Sequence, residues 1–354
     1  MIILFIVFLK KIKGQVRMFL NYINNLRGFV ILLIVATHCL WAGLLVWPPM
    51  DNMFSINGFL HTFILRSSGY FVFIAGFLFQ YLSAKFIFSK YLNTKFNNVI
   101  LPYLLISIPA IAYDAFVRSD GVFHDYDPIV RVLLYYIHGM HMSYMWFIPM
   151  IVIFYFVAPL LIKLNQYPKL YWSLPIFVII SLVVHREVVP YHNPLQSFVH
   201  YFSIYVFGMW VSQYRDMVLA WLEKYGLLVL GLFLLSIFMQ FYLRFILNLD
   251  FYMEMAAYFK VIFGSLLMVY LFRRYDHYLG TSLDKIAAMS FGIYFVHGYV
   301  LSVLRIIINK FSLVIHGNIL TYLLLFLFTL ISTLIILWIV KALLGKHSRK
   351  LVGY

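Results

Sequence analysis

Carboxylates and cysteine are scarce in this chain: twelve Asp and Glu residues and one cysteine, Cys39, among 354 residues. A single cysteine cannot close an internal disulfide and argues against a thiolate-ligated metal site. Cys39 lies in an apolar run and reads as a small buried side chain. Charged residues make up only 11% of the chain, against 64% hydrophobic and 20% aromatic. That balance excludes both a soluble globule and a disordered chain. None of the acids falls in the middle of an apolar run, and Asp114 comes nearest. Proton-coupled pumps usually carry buried carboxylates, so their absence argues against an ion-coupled transporter. A soluble domain, an internal repeat and a low-complexity run are also missing. Nor does the start read as a signal peptide: Met1 to Leu9 is too short to span, and Lys10, Lys11, Lys13 and Arg17 follow it rather than precede it. Residues 1–20 therefore read as a dispensable basic extension, either an interfacial anchor or a start placed too far upstream.

What the chain does have is apolar segments. Ten can be drawn, near 28–47, 57–82, 99–117, 144–162, 171–184, 197–214, 225–247, 257–272, 286–308 and 318–340. The fifth is short, and reads as tilted or partly re-entrant. The expectation is one all-α, polytopic helix bundle over residues 21–345, followed by a tail at 346–354. Eighteen of the 27 Lys and Arg residues then fall on one side, in the amino-terminal extension, four inter-segment connections and the tail. The opposite loops hold four: Arg118, Arg131, Arg186 and Lys310. Five more (Arg27, Arg66, Arg244, Lys260 and Arg305) lie within segments or at their edges. The positive-inside rule places both termini in the cytoplasm of an inner, or plasma, membrane. The net charge of +15 is thus mostly a topology signal, with attraction to anionic lipid. No basic groove-sized domain exists to bind nucleic acid.

Four polar clusters interrupt this pattern. Arg27 and His38 lie on one face of the first segment, about 16 Å apart along a helix axis. An ionisable residue inside the hydrocarbon is costly, which makes the pair a candidate site rather than a packing feature. A guanidinium at the boundary can hold a phosphate or carboxylate, and an imidazole about halfway across suits general-base work. Next, Lys90, Lys95, Asn97 and Asn98 precede the third segment and suit an anionic cytosolic ligand; Lys85 reads equally well as topology charge. Third, Trp146 stands at a segment's outer end, where composition favours an interfacial belt aromatic. Nearby His138 and His141 lack a third ligand and read as solvated rather than as a metal pair. Finally, Ser290, Tyr294 and His297 share one helical face and must point into the bundle or a wet cavity.

Six stretches together resemble the acyltransferase family 3 of integral membrane O-acyltransferases of surface glycans. They are 25–38 (NLRGFVILLIVATH), 71–82 (FVFIAGFLFQYL), 95–103 (KFNNVILPY), 146–161 (WFIPMIVIFYFVAPLL), 202–210 (FSIYVFGMW) and 290–301 (SFGIYFVHGYVL). The resemblance implies a ten-helix bundle. It also implies an acyl group, commonly acetyl, moved from cytosolic acyl-coenzyme A to a hydroxyl of a polysaccharide or lipid-linked glycan. Acyl-coenzyme A is then a substrate, with no permanently bound cofactor and no metal.

On that resemblance, His38 activates the hydroxyl or relays the acyl group, and Arg27 positions the donor's head or stabilises developing charge. Lys90, Lys95 and Asn98 form the donor site. Trp146, Ser290, Tyr294 and His297 form the acceptor side. Two positions depart from the family pattern. Ala75-Gly76 stand where Ser-Gly is usual, and Asn98 stands where an arginine is common. A polysaccharide exporter of the same family is the alternative reading. It is distinguished by whether Arg27 and His38 line one cavity open at the lysine-bearing loop.

Overall fold

The computed structural model describes residues 2–48, 56–186, 192–278 and 282–354. The side chains of residues 1–20, and with them the charges of the basic extension, lie outside the described residues. The chain forms α1 (Ile2–Trp41), α2 (Ile56–Ile64), α3 (Ser68–Leu82), α4 (Phe88–Lys95), α5 (Leu101–Phe116), α6 (Pro128–His138), α7 (Phe147–Gln166) and α8 (Leu174–Val183). There follow α9 (Pro194–Gln213), α10 (Arg215–Phe245), α11 (Asp250–Arg274), α12 (Ser282–Ala288), α13 (Ser290–Lys310), α14 (Ile319–Leu344) and α15 (Ser348–Val352). No strand occurs among the described residues beyond one isolated bridge, Val46 with His316. The protein is an all-α polytopic bundle, as its composition requires.

Eight helical units are long and apolar enough to cross a membrane, among them α2 with α3, α4 with α5, and α14 through α15. The remaining two of the ten expected segments are of a different kind. The fifth is only 16 residues, a 3₁₀ turn plus α8 over Pro168–Val183. The sixth, α9, is enclosed by protein and can therefore be polar. His200 donates from Nδ1 to the Ser181 and Val184 carbonyls, each at 3.0 Å. Ser203 bonds Ser181 and Tyr258, both at 2.6 Å. Interhelical bonds of this kind contribute about 0.6 kcal/mol each in a membrane. Opposite them α3 meets α9 backbone to backbone. A Cβ on Gly76 would come within 2.0 Å of the Tyr205 carbonyl oxygen, and one on Gly208 within 2.2 Å of that of Phe73. Only glycine permits that approach.

Two breaks position the site. The first segment was expected to run to 47, but α1 stops at Trp41, where Gly43 takes φ +65°. Arg305 of α13 donates to the freed Ala42 carbonyl at 2.5 Å. The second segment divides at Arg66, whose φ is +67°. The open end of α2 is closed by Lys260 of α11, which is fully buried. Its Nζ donates to the carbonyls of Thr62 (2.5 Å), Phe63 (3.3 Å) and Leu65 (2.7 Å). An ammonium is well placed there, because a helix carboxyl end leaves carbonyls unpaired and carries partial negative charge.

Candidate active site

Because α1 stops three residues after His38, while α13 runs on from His297 to Lys310, the histidine pair lies within the bundle. Lys310 is about 20 Å beyond His297 along the α13 axis. The rings of His38 and His297 are 5.3 Å apart, and Tyr144 sits 5.3 Å from His38 and 4.5 Å from His297. Tyr144 reaches this depth because the connection between α6 and α7 dips into the bundle. Its hydroxyl donates to the Phe295 carbonyl at 3.2 Å, and Tyr294 donates in turn to the Tyr144 carbonyl. Gly298 makes room, since a Cβ there would lie 2.0 Å from the Tyr144 ring.

The two imidazoles differ. His297 is fully buried and donates Nδ1–H to the Ile293 carbonyl at 2.9 Å. A carbonyl can only accept, so Nε2 is left as an acceptor, and it has no partner among the described residues. His38 is half-buried, and its accessible part faces a cavity of about 650 Å³. Among the described residues, no group hydrogen-bonds either of its nitrogens. Ser290, Tyr294 and Trp146 line the same cavity.

Four expected site residues therefore share one cavity, with His297 behind His38. Trp146 is 5% exposed, so the belt-aromatic reading is corrected: the dipping connection carries it away from lipid. The reading of His138 and His141 as solvated is corrected, since protein groups hold both rings. His138 Nδ1 donates to the His192 carbonyl at 2.9 Å, while buried His141 bonds Ser107 at 2.8 Å. Burial pushes the His141 imidazole down to about 4.

Other charges in the cavity were not foreseen. Arg66 and Glu254 form a bidentate ion pair, with Nε to Oε2 at 2.9 Å. Glu254 lies near the start of α11 rather than in mid-span, and was left out of the expected segment because α11 begins at Asp250, seven residues before the expected 257. Arg186, counted as an outer-loop charge, turns inward and stacks on Trp146 with its guanidinium carbon 4.0 Å from the ring centre. An arginine or lysine inside an apolar segment was the available signal for Arg66 and Lys260. Tyr144, one of 28 tyrosines, offered none.

The other expected residues gather at the opposite end of the bundle, beside the carboxyl-terminal tail. Arg27 is close enough to feel the charges of Asp284 and Arg349, yet makes no ion pair or hydrogen bond among the described residues. Its Nε is sealed from solvent without a partner. Burial raises the Asp284 carboxyl above its ordinary value, and Arg27 opposes the shift. Lys95 lies within range of Arg27 and caps the rings of Tyr91 (5.3 Å) and Tyr155 (5.1 Å). Lys90 is exposed, and half-buried Asn98 occupies a π-helical turn, Phe96–Ile100. Such turns recur at functional sites.

Arg27 and His38 thus do not line one cavity, so the shared cavity expected to set an acyltransferase apart from an exporter is not found among the described residues. Val30, Ile31 and Ile34 of α1 are buried between them. A separation of about 16 Å along α1 leaves Arg27 no contact with an oxyanion forming at His38.

A family profile described as an acyltransferase domain matches residues 20–340. No curated protein and no solved structure matches the chain. The matched span contains all six quoted motifs and every residue of the two clusters except Arg349: the chain belongs to acyltransferase family 3 and is a membrane-embedded acyltransferase.

Proposed function

We propose that the protein transfers an acyl group, acetyl in the simplest case, from cytosolic acyl-coenzyme A to a hydroxyl of a surface polysaccharide or lipid-linked glycan. One observation carries this reading. The Arg27 guanidinium and the His38 imidazole stand at different ends of one helix, and among the described residues neither makes a hydrogen bond or an ion pair. A structural role would have supplied partners, because an unpaired polar group at such depth is costly.

Arg27 is suited to the donor's phosphates, with Lys95 beside it and Lys90 and Asn98 at the rim. The long pantetheine arm of coenzyme A spans a distance of the kind that separates Arg27 from His38. His38 takes the proton from the acceptor hydroxyl, and the hydroxyl oxygen attacks the thioester carbonyl. The carbon–sulfur bond then breaks, and the departing thiolate takes the proton back from the imidazolium. Tyr294, Ser290 and Trp146 shape the acceptor's cavity. His297, its Nδ1 tied down, holds the face of His38 that the cavity does not reach. The basic end is the cytoplasmic one by the positive-inside rule, which puts donor and acceptor on opposite sides of the catalytic imidazole.

The test is transfer of labelled acetyl from acetyl-coenzyme A to extracted glycan by nanodisc-held protein. His38→Ala is expected to abolish transfer while membrane abundance stays near wild type. Transfer by His38→Ala at the wild-type rate would overturn the reading.

A further inference from the structure

The charges around the His38 cavity do not balance. Three guanidiniums (Arg66, Arg186 and Arg244) and two carboxylates (Asp250 and Glu254) line it among the described residues. Glu254 is bound bidentately by Arg66. Arg244 lies within reach of both Asp250 and Glu254. Arg186 has no carboxylate within ion-pair distance among the described residues. Among the described residues its one hydrogen bond runs from Nη1 to the Tyr201 hydroxyl at a long 3.4 Å, and its Nε, sealed from solvent, meets no partner there. Burial and the neighbouring Arg66 lower this guanidinium from its ordinary value, while the Tyr201 hydroxyl and, from a distance, the Arg66-bound Glu254 oppose the shift.

A partly buried cation without a counter-charge is costly, and a bound anion would offset that cost. Its setting is that of a binding group. The guanidinium carbon lies 4.0 Å from the Trp146 ring centre, and Trp146 is itself flanked by Tyr201 (6.0 Å, stacked) and His192 (5.4 Å). The indole covers one side of the cation and Nε is sealed, which leaves the Nη groups to meet an anion. Carboxylate and phosphate both accept charge-assisted hydrogen bonds from a guanidinium. The Arg66–Glu254 pair walls one side, so a carboxylate or phosphate in the cavity meets Arg186 as the guanidinium without an ion pair among the described residues.

We infer that the acceptor is anionic: a sugar bearing a carboxylate or a phosphate docks its negative group on Arg186 and presents a neighbouring hydroxyl to His38. This rests on the reading of the cavity as the acceptor site. Arg186 then determines acceptor specificity, selecting acidic over neutral sugars.

Binding can be read without catalysis. Nanodisc-held protein is titrated with glucuronate, glucose 1-phosphate and methyl glucoside, followed by saturation-transfer NMR. At least one anionic probe is expected to bind about tenfold or more tighter than the neutral one, the ratio that a charge-assisted hydrogen bond supplies. The glucuronate and phosphate arms tell a sugar carboxylate from a phosphate linkage. Arg186→Gln should erase the preference, Arg186→Lys should keep part of it, and His38→Ala should leave it intact. Equal binding of all three probes overturns the inference, as does a preference that survives in Arg186→Gln. Acetyl-coenzyme A is titrated in parallel. If Arg186→Gln weakens acetyl-coenzyme A rather than the sugar anion, the cation serves the donor and the inference is wrong. Inactivity of the wild type towards every glycan would instead strike the acyltransfer reading and leave the binding result standing.

Discussion

Replacing Gly298 with alanine should disable the site without touching any group that does chemistry. The added Cβ would lie 2.0 Å from Tyr144 Cε1 and 2.5 Å from both Cζ and the hydroxyl oxygen. Ordinary carbon contacts begin near 3.4 Å, so ring and helix must separate by roughly 1.4 Å. Tyr144 cannot swing away freely, being 4% exposed and bonded to Phe295 and Tyr294. Overpacking of this kind costs about 1–3 kcal/mol. The rate penalty should be larger, because Tyr144 is the contact shared by His38 and His297. Misplacement of catalytic groups by about 1 Å costs around a hundredfold. Acyl transfer and detergent unfolding would be measured on Gly298→Ala, Tyr144→Ala and the double variant. The double variant should be more stable than the sum of its parts, since truncating the ring removes the clash. Gly298→Ala with wild-type rate and stability would refute the placement of Tyr144 against α13.

Three other outcomes are expected. Glu254→Gln should destabilise the protein by about 3–5 kcal/mol by leaving Arg66 buried without its counter-charge, whereas Arg66→Met with Glu254→Leu should cost far less; equal losses in both, measured by unfolding, would contradict the pairing. Neutralising Lys90 and Lys95 should raise the acyl-coenzyme A concentration for half-maximal rate by about tenfold at low salt, with a gap that narrows as salt screens the phosphates, and Asn98→Arg should lower that concentration; unchanged titrations would reduce the lysines to topology charge. Arg27→Lys should impair donor use more than charge conservation suggests, because a point charge replaces a bidentate fork, and a normal donor titration would place the donor's head elsewhere.

Fold class was legible because period and composition leave little choice for a chain this apolar. The ten segments were found even though two fail as ordinary spans. α9 carries His200 and Ser203, tolerated because protein rather than lipid surrounds them, and α8 is simply short. The breaks were not legible. The stop at Trp41 and the turn at Arg66 depend on Arg305 and Lys260 reaching over from distant helices, and nothing local in the sequence announces that. At the site, His38, Ser290, Tyr294 and His297 declared themselves as polar groups at helical spacing in apolar runs. Arg186 did not, since a cation after a short segment looks like any loop charge until the chain turns it onto Trp146. Glu254 was missed by an element boundary: a segment starting at 257 leaves it outside, and a helix starting at 250 puts it in the cavity wall.

The central claim is that His38 catalyses acyl transfer to a glycan, and it is tested most directly by mass spectrometry of the surface glycan. A deletion strain would be compared with strains restored by the wild-type chain or by His38→Ala. The expected result is loss of an acyl mass in the deletion strain, with polymer length retained, recovery with the wild-type chain and none with His38→Ala. An acyl pattern unchanged by deletion, or loss of the polymer itself, would contradict it.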